Sequence, residues 1–194
     1  IYYRNWYARS LVSLIDGTMQ EQSYYPGEIR MSLKKDGADI CESLQFVDAR
    51  TALLTVTNPS KVPFTFTADS ISTRANVSRC QNRVTIGDFY GERVIIDFPQ
   101  EVQVTDTDHN YLATVPSGVE QLTIAISLVE QDTEASVQHV HTASLLANPS
   151  VALQANDDRW NGYLKKVIRD DMPAEYNRVA AKSIVTLLSN WRAK

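Results

Sequence analysis

The 194-residue sequence predicts a mainly β protein, an antiparallel β-sandwich followed by C-terminal α-helices. Three observations predict it. Between Ile29 and Val129, short runs alternate apolar residues with Thr, Ser or Gln, the period of strands with one face buried and one wet. Gly, Pro, Asn and Asp collect between those runs, where they supply turn geometry. After Val129 the spacing becomes helical, and no long helix interrupts the strands before that point, which argues against a parallel α/β sheet.

In order, Ile29–Leu33, Ser43–Val47, Ala52–Thr57, Phe64–Thr67, Arg83–Ile86, Val94–Phe98, Val102–Val104 and Leu122–Leu128 read as strands. Sequential hairpins are the simplest way to join them. Turns are expected at Lys35-Asp36-Gly37, Asn58-Pro59-Ser60, Gly87-Asp88, Asp106-Thr107-Asp108 and Pro116-Ser117-Gly118. No period of roughly 20 to 50 residues recurs, so a propeller or solenoid is not supported. For residues 131–147 two readings stay open: Asp132 caps a helix from Glu134 to Ala147, or Val137-Gln138-His139-Val140-His141 is a strand. Asn148-Pro149 is a stronger helix start, since Asn caps well and Pro suits the first helical position. Leu153, Asn156, Trp160, Leu164 and Val167 then share one helical face, broken only by Gly162. A second start at Asp171-Met172-Pro173 opens a helix with Tyr176, Ala180, Ile184, Leu187, Leu188 and Trp191 as a broad apolar stripe.

The length holds one good-sized core with a helical appendage. A formal charge of -4 leaves no basic footprint for nucleic acid or an anionic membrane, and no apolar run approaches the roughly 20 residues of a membrane helix. The first residue is Ile1 rather than Met, so a removed upstream segment is expected, one that could have included a signal peptide. A periplasmic or secreted setting is accordingly favoured over the cytoplasm. Cys41 and Cys80 allow one disulfide or two buried thiols, and their spacing rules out a CxxC metal or redox motif.

Several local constellations invite a chemical reading. Asp106-Thr107-Asp108-His109-Asn110 opens like a calcium loop, but Tyr111 stands where the sharp-turn Gly belongs and Ser117 where the bidentate Glu belongs, so a polar hairpin turn is favoured. His139 and His141 would converge on a strand and diverge on a helix; solvent-exposed histidines are the default and no metal site is assigned. Asp157-Asp158 and Asp170-Asp171 are adjacent rather than convergent, because successive helical side chains point about 100° apart. Asp171 is read as an N-cap, and Asp157 or Asp158 as a partner for Arg159. Tyr2, Tyr3, Trp6 and Tyr7, with Tyr24 and Tyr25, offer either a sugar-stacking platform or strand packing, and packing is favoured. Asn76-Val77-Ser78 fits an N-glycosylation acceptor but is short enough to arise by chance. No phosphate loop, nucleophile motif or HExxH is present, and no catalytic residue or cofactor is assigned.

The helical tail carries a resemblance. Arg159-Trp160-Asn161-Gly162-Tyr163-Leu164, followed by Val179-Ala180-Ala181-Lys182 and Thr186-Leu187-Leu188-Ser189-Asn190-Trp191-Arg192, resembles the junction region of glycoside hydrolase family 63 and related bacterial glucosidase or glycogen-debranching-like proteins. The resemblance implies an N-terminal super-sandwich over residues 1–130, a helical linker over 131–172, and the first helix of an (α/α)6 barrel over 173–194. It also implies inverting cleavage of α-glycosidic bonds by an acid and a base roughly 6.5 to 9.5 Å apart, both in later barrel segments, so no residue here inherits either role.

On that reading the chain is the non-catalytic front of a larger protein whose own barrel is its main partner. Trp160, Tyr163, Ile184, Leu188 and Trp191 are the barrel-docking candidates. Left uncovered, they would drive homodimerisation or fold back on the sandwich. Two alternatives compete: a free-standing carbohydrate-binding sandwich that contacts glycan through exposed aromatics, and a bare structural interaction module. The C-terminal helical stripe discriminates, since a free-standing binding module has no need of a C-terminal helix with Trp191 at its end.

Overall fold

The computed structural model describes residues 2–3, 5–6, 8–73, 75–87, 92–130 and 135–189. Its strands run β1 (Tyr2–Tyr3), β2 (Asn5–Trp6), β3 (Ser10–Leu14), β4 (Thr18–Tyr25), β5 (Glu28–Lys35), β6 (Ala38–Phe46) and β7 (Thr51–Thr57). They continue as β8 (Phe64–Asp69), β9 (Asn76–Cys80), β10 (Arg83–Gly87), β11 (Arg93–Asp97), β12 (Gln103–Thr107), β13 (Asn110–Val115) and β14 (Gln121–Val129). Three helices follow, α1 (Ala135–Ala147), α2 (Pro149–Val167) and α3 (Ala174–Ser189). The fold is an antiparallel β-sandwich with C-terminal helices.

An 8-stranded sheet in the order β4-β5-β6-β7-β14-β11-β10-β9 faces a 4-stranded sheet in the order β12-β13-β8-β3. Sequential hairpins account for β4 to β7 and for β9 to β11. They do not account for β14, which returns to pair with β7 on one side and β11 on the other and so joins the two meanders. The core lies between the sheets. Phe64, Phe66 and Ala68 of β8 and Tyr111, Ala113 and Val115 of β13 point in from the small sheet, at the alternation strands require. Ile40, Leu54, Val56, Val84, Ile86, Ile96 and Ile124 meet them from the large one. Tyr111 is fully buried, and its hydroxyl donates to the Leu11 carbonyl at 2.6 Å, which ties β13 to β3. Without that bond its phenol would be a buried polar group with no water to replace it.

The outer face of the large sheet is not uniformly wet. Leu53 of β7, Ile95 of β11 and Ala125 and Ser127 of β14 point away from the core yet are buried. The helices bury them. The continuous runs Ala52-Leu53-Leu54 and Val94-Ile95-Ile96 are the signature of strands covered on both faces, and the period of one buried face fails there.

Turns sit where their residues demand. Asp36 and Gly37, with φ of 50° and 84°, close the two-residue β5–β6 hairpin between Lys35 and Ala38. Thr107 pairs with Asn110, so Asp108-His109 is the hairpin turn, while Asp106 and Thr107 belong to β12; Asp106 meets Arg79 at 3.4 Å. That hairpin takes the place of a calcium loop. Cys41 and Cys80 are both free and exposed, which corrects the buried-thiol reading. They lie on β6 and β9, five strand steps apart at about 4.8 Å each, or about 24 Å, beyond the reach of a disulfide.

The segment from Ala135 to Ala147 is helical, which settles the two open readings; Asp132 lies outside the described residues. α2 begins at Pro149 after Asn148, although the Asn148 side chain makes no cap bond to the backbone and instead accepts from the Ser150 hydroxyl at 2.9 Å. Gly162 does not break it. Asp171 does not cap α3. Its carboxylate is held by the Arg169 guanidinium at 2.9 and 2.7 Å, and Pro173 supplies the first carbonyl, accepting from Tyr176 and Asn177. No helix among the described residues is long and apolar enough to cross a membrane.

Candidate functional site

The β4–β5 hairpin turns at Pro26-Gly27, between Tyr25 and Glu28. Pro presets the first central φ, and Gly27, at φ of 77°, takes the second, as a type II turn requires. That turn receives α2. The Trp160 indole lies against Gly27 so closely that a Cβ there would overlap Cδ1 and Nε1 and come within 2.9 Å of Cε2. Tyr163 packs edge-on against Trp160, with ring centroids 5.8 Å apart.

One turn of α2 earlier, a polar clamp completes the junction. Asn156, only 2% exposed, donates to Gln45 Oε1 at 2.8 Å and to the Gly27 carbonyl at 3.3 Å. Arg159 reaches past it to the Phe46 carbonyl at 2.9 Å and the Val47 carbonyl at 3.4 Å, and also bonds Asn156 Oδ1. Arg159 therefore serves the sandwich backbone rather than Asp157 or Asp158, which corrects the expected pair; Asp158 instead accepts from Gln154 at 3.0 Å.

α1 docks through a polar seam. Gln138 donates to Thr51 Oγ1 at 3.0 Å and to Ser127 Oγ at 3.1 Å, and the buried Thr142 hydroxyl donates to Asp97 Oδ2 at 2.9 Å. Asp97 Oδ1 also holds Arg83 Nε at 2.7 Å, and His139 bonds the same guanidinium. His141 turns the other way, to Asp48 at 2.8 Å. The histidines thus diverge to different partners, as their helical spacing requires, and both stay exposed at the surface. Burial tends to raise the Asp48 carboxyl, but the bonds from His141, Arg50 and Thr51 hold it below its ordinary value.

Beside the α2 junction, the outer face of β4 to β7 forms a groove of about 410 Å³. On its wall Glu28 Oε1 accepts from Arg30 Nε at 2.7 Å and from Ser43 Oγ at 2.6 Å. Burial pushes the Glu28 carboxyl up, yet these bonds outweigh it and the net direction is down, so Glu28 is ionised. The Arg30 guanidinium stands 4.7 Å above the centre of the Tyr25 ring. Ser32, Ser43, Thr55 and Thr57 line the floor. Core filling explains neither Tyr24 nor Tyr25, which are 72% and 48% exposed. The side chains of Tyr2, Tyr3, Trp6 and Tyr7 lie outside the described residues.

Of the five docking candidates, Trp160 and Tyr163 sit on the α2 junction. Ile184 and Leu188 are half-buried on α3, which packs against α2, and Trp191 lies outside the described residues. The exposed stripe of α3 runs instead through Tyr176, Val179 and Leu187. Sequence reasoning passed over Gln45, Gly27 and the Glu28–Arg30–Ser43 triad. Pro26-Gly27 was a readable turn signal, whereas the triad forms only when β5 and β6 pair.

No protein-family model matches the sequence. The structure is similar to that of the family GH92 inverting mannosidase from Bacteroides thetaiotaomicron, with a TM-score of 0.65 and 16% identity over 91% of this chain and 29% of that one. It is more loosely similar to the heparan sulfate lyase HepC from Pedobacter heparinus, with a TM-score of 0.42 and 10% identity over 62% of this chain and 24% of that one. The second likeness is too loose to bear on the fold. The first establishes a shared fold across nearly the whole chain, sandwich and helices together, and this chain spans less than a third of that enzyme's length.

Proposed function

We propose that this chain is the non-catalytic β-sandwich, with its connecting helices, of an enzyme that cleaves α-glycosidic bonds, and that the enzyme resembles glycoside hydrolase family 63. Residues 1–130 form the sandwich, 131–172 the linker and 173–194 the start of the catalytic barrel. The observation that carries this reading is the α2 junction. A linker meant only to tether would not need a Trp seated on a Gly turn and a buried amide clamp, whereas one that positions a neighbouring domain needs both. α3, packed on α2, turns Tyr176, Val179 and Leu187 outward to solvent, where further structure would cover them. Similarity to a glycoside hydrolase over both sandwich and helices supports the same reading.

In this role the sandwich folds around its own core, fixes α2, and lends the neighbouring surface to the rim of the catalytic site. The test is hydrolysis of aryl α-glucosides and aryl α-mannosides by this chain and by the protein carrying the coding sequence downstream of Lys194. The longer protein is expected to turn substrate over and this chain to be inert. Turnover by this chain that disappears on substituting one of its own carboxylates would overturn the proposal.

A further inference from the structure

We propose that the groove on the outer face of β4 to β7 is a binding site for a neutral saccharide. The assignment deepens the glycosidase reading and rests on it for the choice of sugars, while the site itself is built from side chains already described. Its volume, about 410 Å³, lies within the roughly 300 to 1,000 Å³ of small-molecule sites and suits one or two pyranose rings.

Three features of the wall select the ligand. Tyr25 is half exposed at the groove's end with Arg30 over one face of its ring, and the other aromatic face can pack against the apolar C–H face of a pyranose. Arg30 and Glu28 stand side by side as a fixed donor and acceptor, the arrangement that vicinal hydroxyls satisfy with one bond given and one taken. Arg30 and Ser43 both donate to Glu28 Oε1 and Gln45 bonds the same carboxylate, while an ionised carboxylate has about four acceptor sites, so capacity for a ligand hydroxyl remains. The guanidinium likewise spends only Nε on Glu28, and its fork carries further N–H donors.

Charge separates neutral from acidic sugars. Glu21, Glu28 and Glu42 line the groove against the single guanidinium of Arg30, so that even with Glu42 protonated the net charge is minus one, and it repels uronates and sulfated sugars. A peptide is a poor alternative for the floor, because β5, β6 and β7 are each paired on both sides and offer no free backbone ladder.

Calorimetric titration with methyl α-glucoside, methyl α-mannoside, maltose and glucuronate tests the assignment. The expected result is a dissociation constant on the order of 1 mM for at least one neutral sugar, since a ligand of this size in an open groove gains little more. Glucuronate should bind more weakly than that sugar. Tyr25→Ala and Glu28→Gln should each weaken binding about tenfold. Tyr24→Ala is the control, because Tyr24 projects from the opposite face of β4, and it should leave affinity within about twofold. Should Glu28→Gln fail to fold, Tyr25→Ala decides alone, since Tyr25 sits at an exposed hairpin end. No binding of any neutral sugar, tighter binding of glucuronate, or equal loss in Tyr24→Ala would overturn the assignment. A groove that fails these tests in a protein whose longer form cleaves α-glycosides leaves the domain reading standing; turnover by this chain would sink that reading and leave the groove data intact.

Discussion

Trp160 of α2 occupies the space that a side chain at Gly27 would fill, so that a turn of the sandwich and a helix after it exclude each other's larger side chains. Two penalties fall on one substitution. Gly27→Ala must hold an L residue at φ of 77°, worth about 1 to 2 kcal/mol, and must displace the indole as well. The expected outcome is a lowered denaturation midpoint together with greater solvent quenching of tryptophan fluorescence. Unchanged quenching in a destabilised Gly27→Ala would mean that the indole never sat on the turn.

Asn156 should matter more than its polarity suggests. Truncation to Ala removes a buried donor and leaves Gln45 Oε1 and the Gly27 carbonyl short of a partner, a cost of about 1 to 3 kcal/mol. Urea denaturation of Asn156→Ala against Gln154→Ala checks it. Gln154 bonds only the exposed Asp158, and its loss should stay within about 0.5 kcal/mol.

Stability should fall as pH rises from about 4.5 to about 7, because of Glu42. It lies on the core side of β6, between Met31 and Val56 across the ladder, and its Oε1 has no hydrogen-bond partner among the described residues. Burial pushes its pKa up to about 7 from the ordinary 4.5. Between those values the native state binds more protons than the unfolded chain, so stability is highest below pH 4.5, declines to about pH 7 and is flat above. The decline attributable to this group is about 3 kcal/mol. In Glu42→Met it should disappear, and the variant should gain stability at pH 8 but little at pH 4. A wild-type and variant pair with parallel pH profiles would contradict this placement of the charge.

α3 should promote association of the isolated chain. Tyr176, Val179 and Leu187 are 58%, 65% and 58% exposed along one stripe. Sedimentation velocity is expected to show concentration-dependent dimerisation, abolished by Tyr176→Lys combined with Leu187→Lys. The half-buried Ile184 and Leu188 face α2, so Lys there should unfold α3 instead of merely separating copies.

Much of the sandwich was legible because alternation and burial coincide in strands such as β8 and β10. β4 and β9 were not. Both are sheet edges, and Thr18–Tyr25 is exposed on nearly every residue, so no hydrophobic period marks it. β13 was hidden by attention to the Asp106–Asn110 oxygens, although Tyr111, Ala113 and Val115 alternate cleanly. The helices were legible from Asn148-Pro149 and from the change of period, but their docking was not. Asn156 meets Gly27 across 129 residues, and nothing local to either announces the other. For the same reason Tyr176 and Leu187 looked like part of a buried stripe, when the face turned to α2 is Ala180, Ile184 and Leu188. The groove escaped notice because Glu28, Arg30 and Ser43 become one constellation only through strand register.

If the α2 junction positions a catalytic neighbour, as proposed, Trp160→Ala should lower kcat/KM for an aryl α-glycoside in the longer protein. No catalytic group is touched by that substitution. Loosening the junction should misplace the two parts by an ångström or so, which costs on the order of tenfold to a hundredfold in rate. A loss of at least tenfold, with KM changing less than kcat and the sandwich still folded by circular dichroism, is the predicted result. Full activity in a folded Trp160→Ala protein would contradict the account.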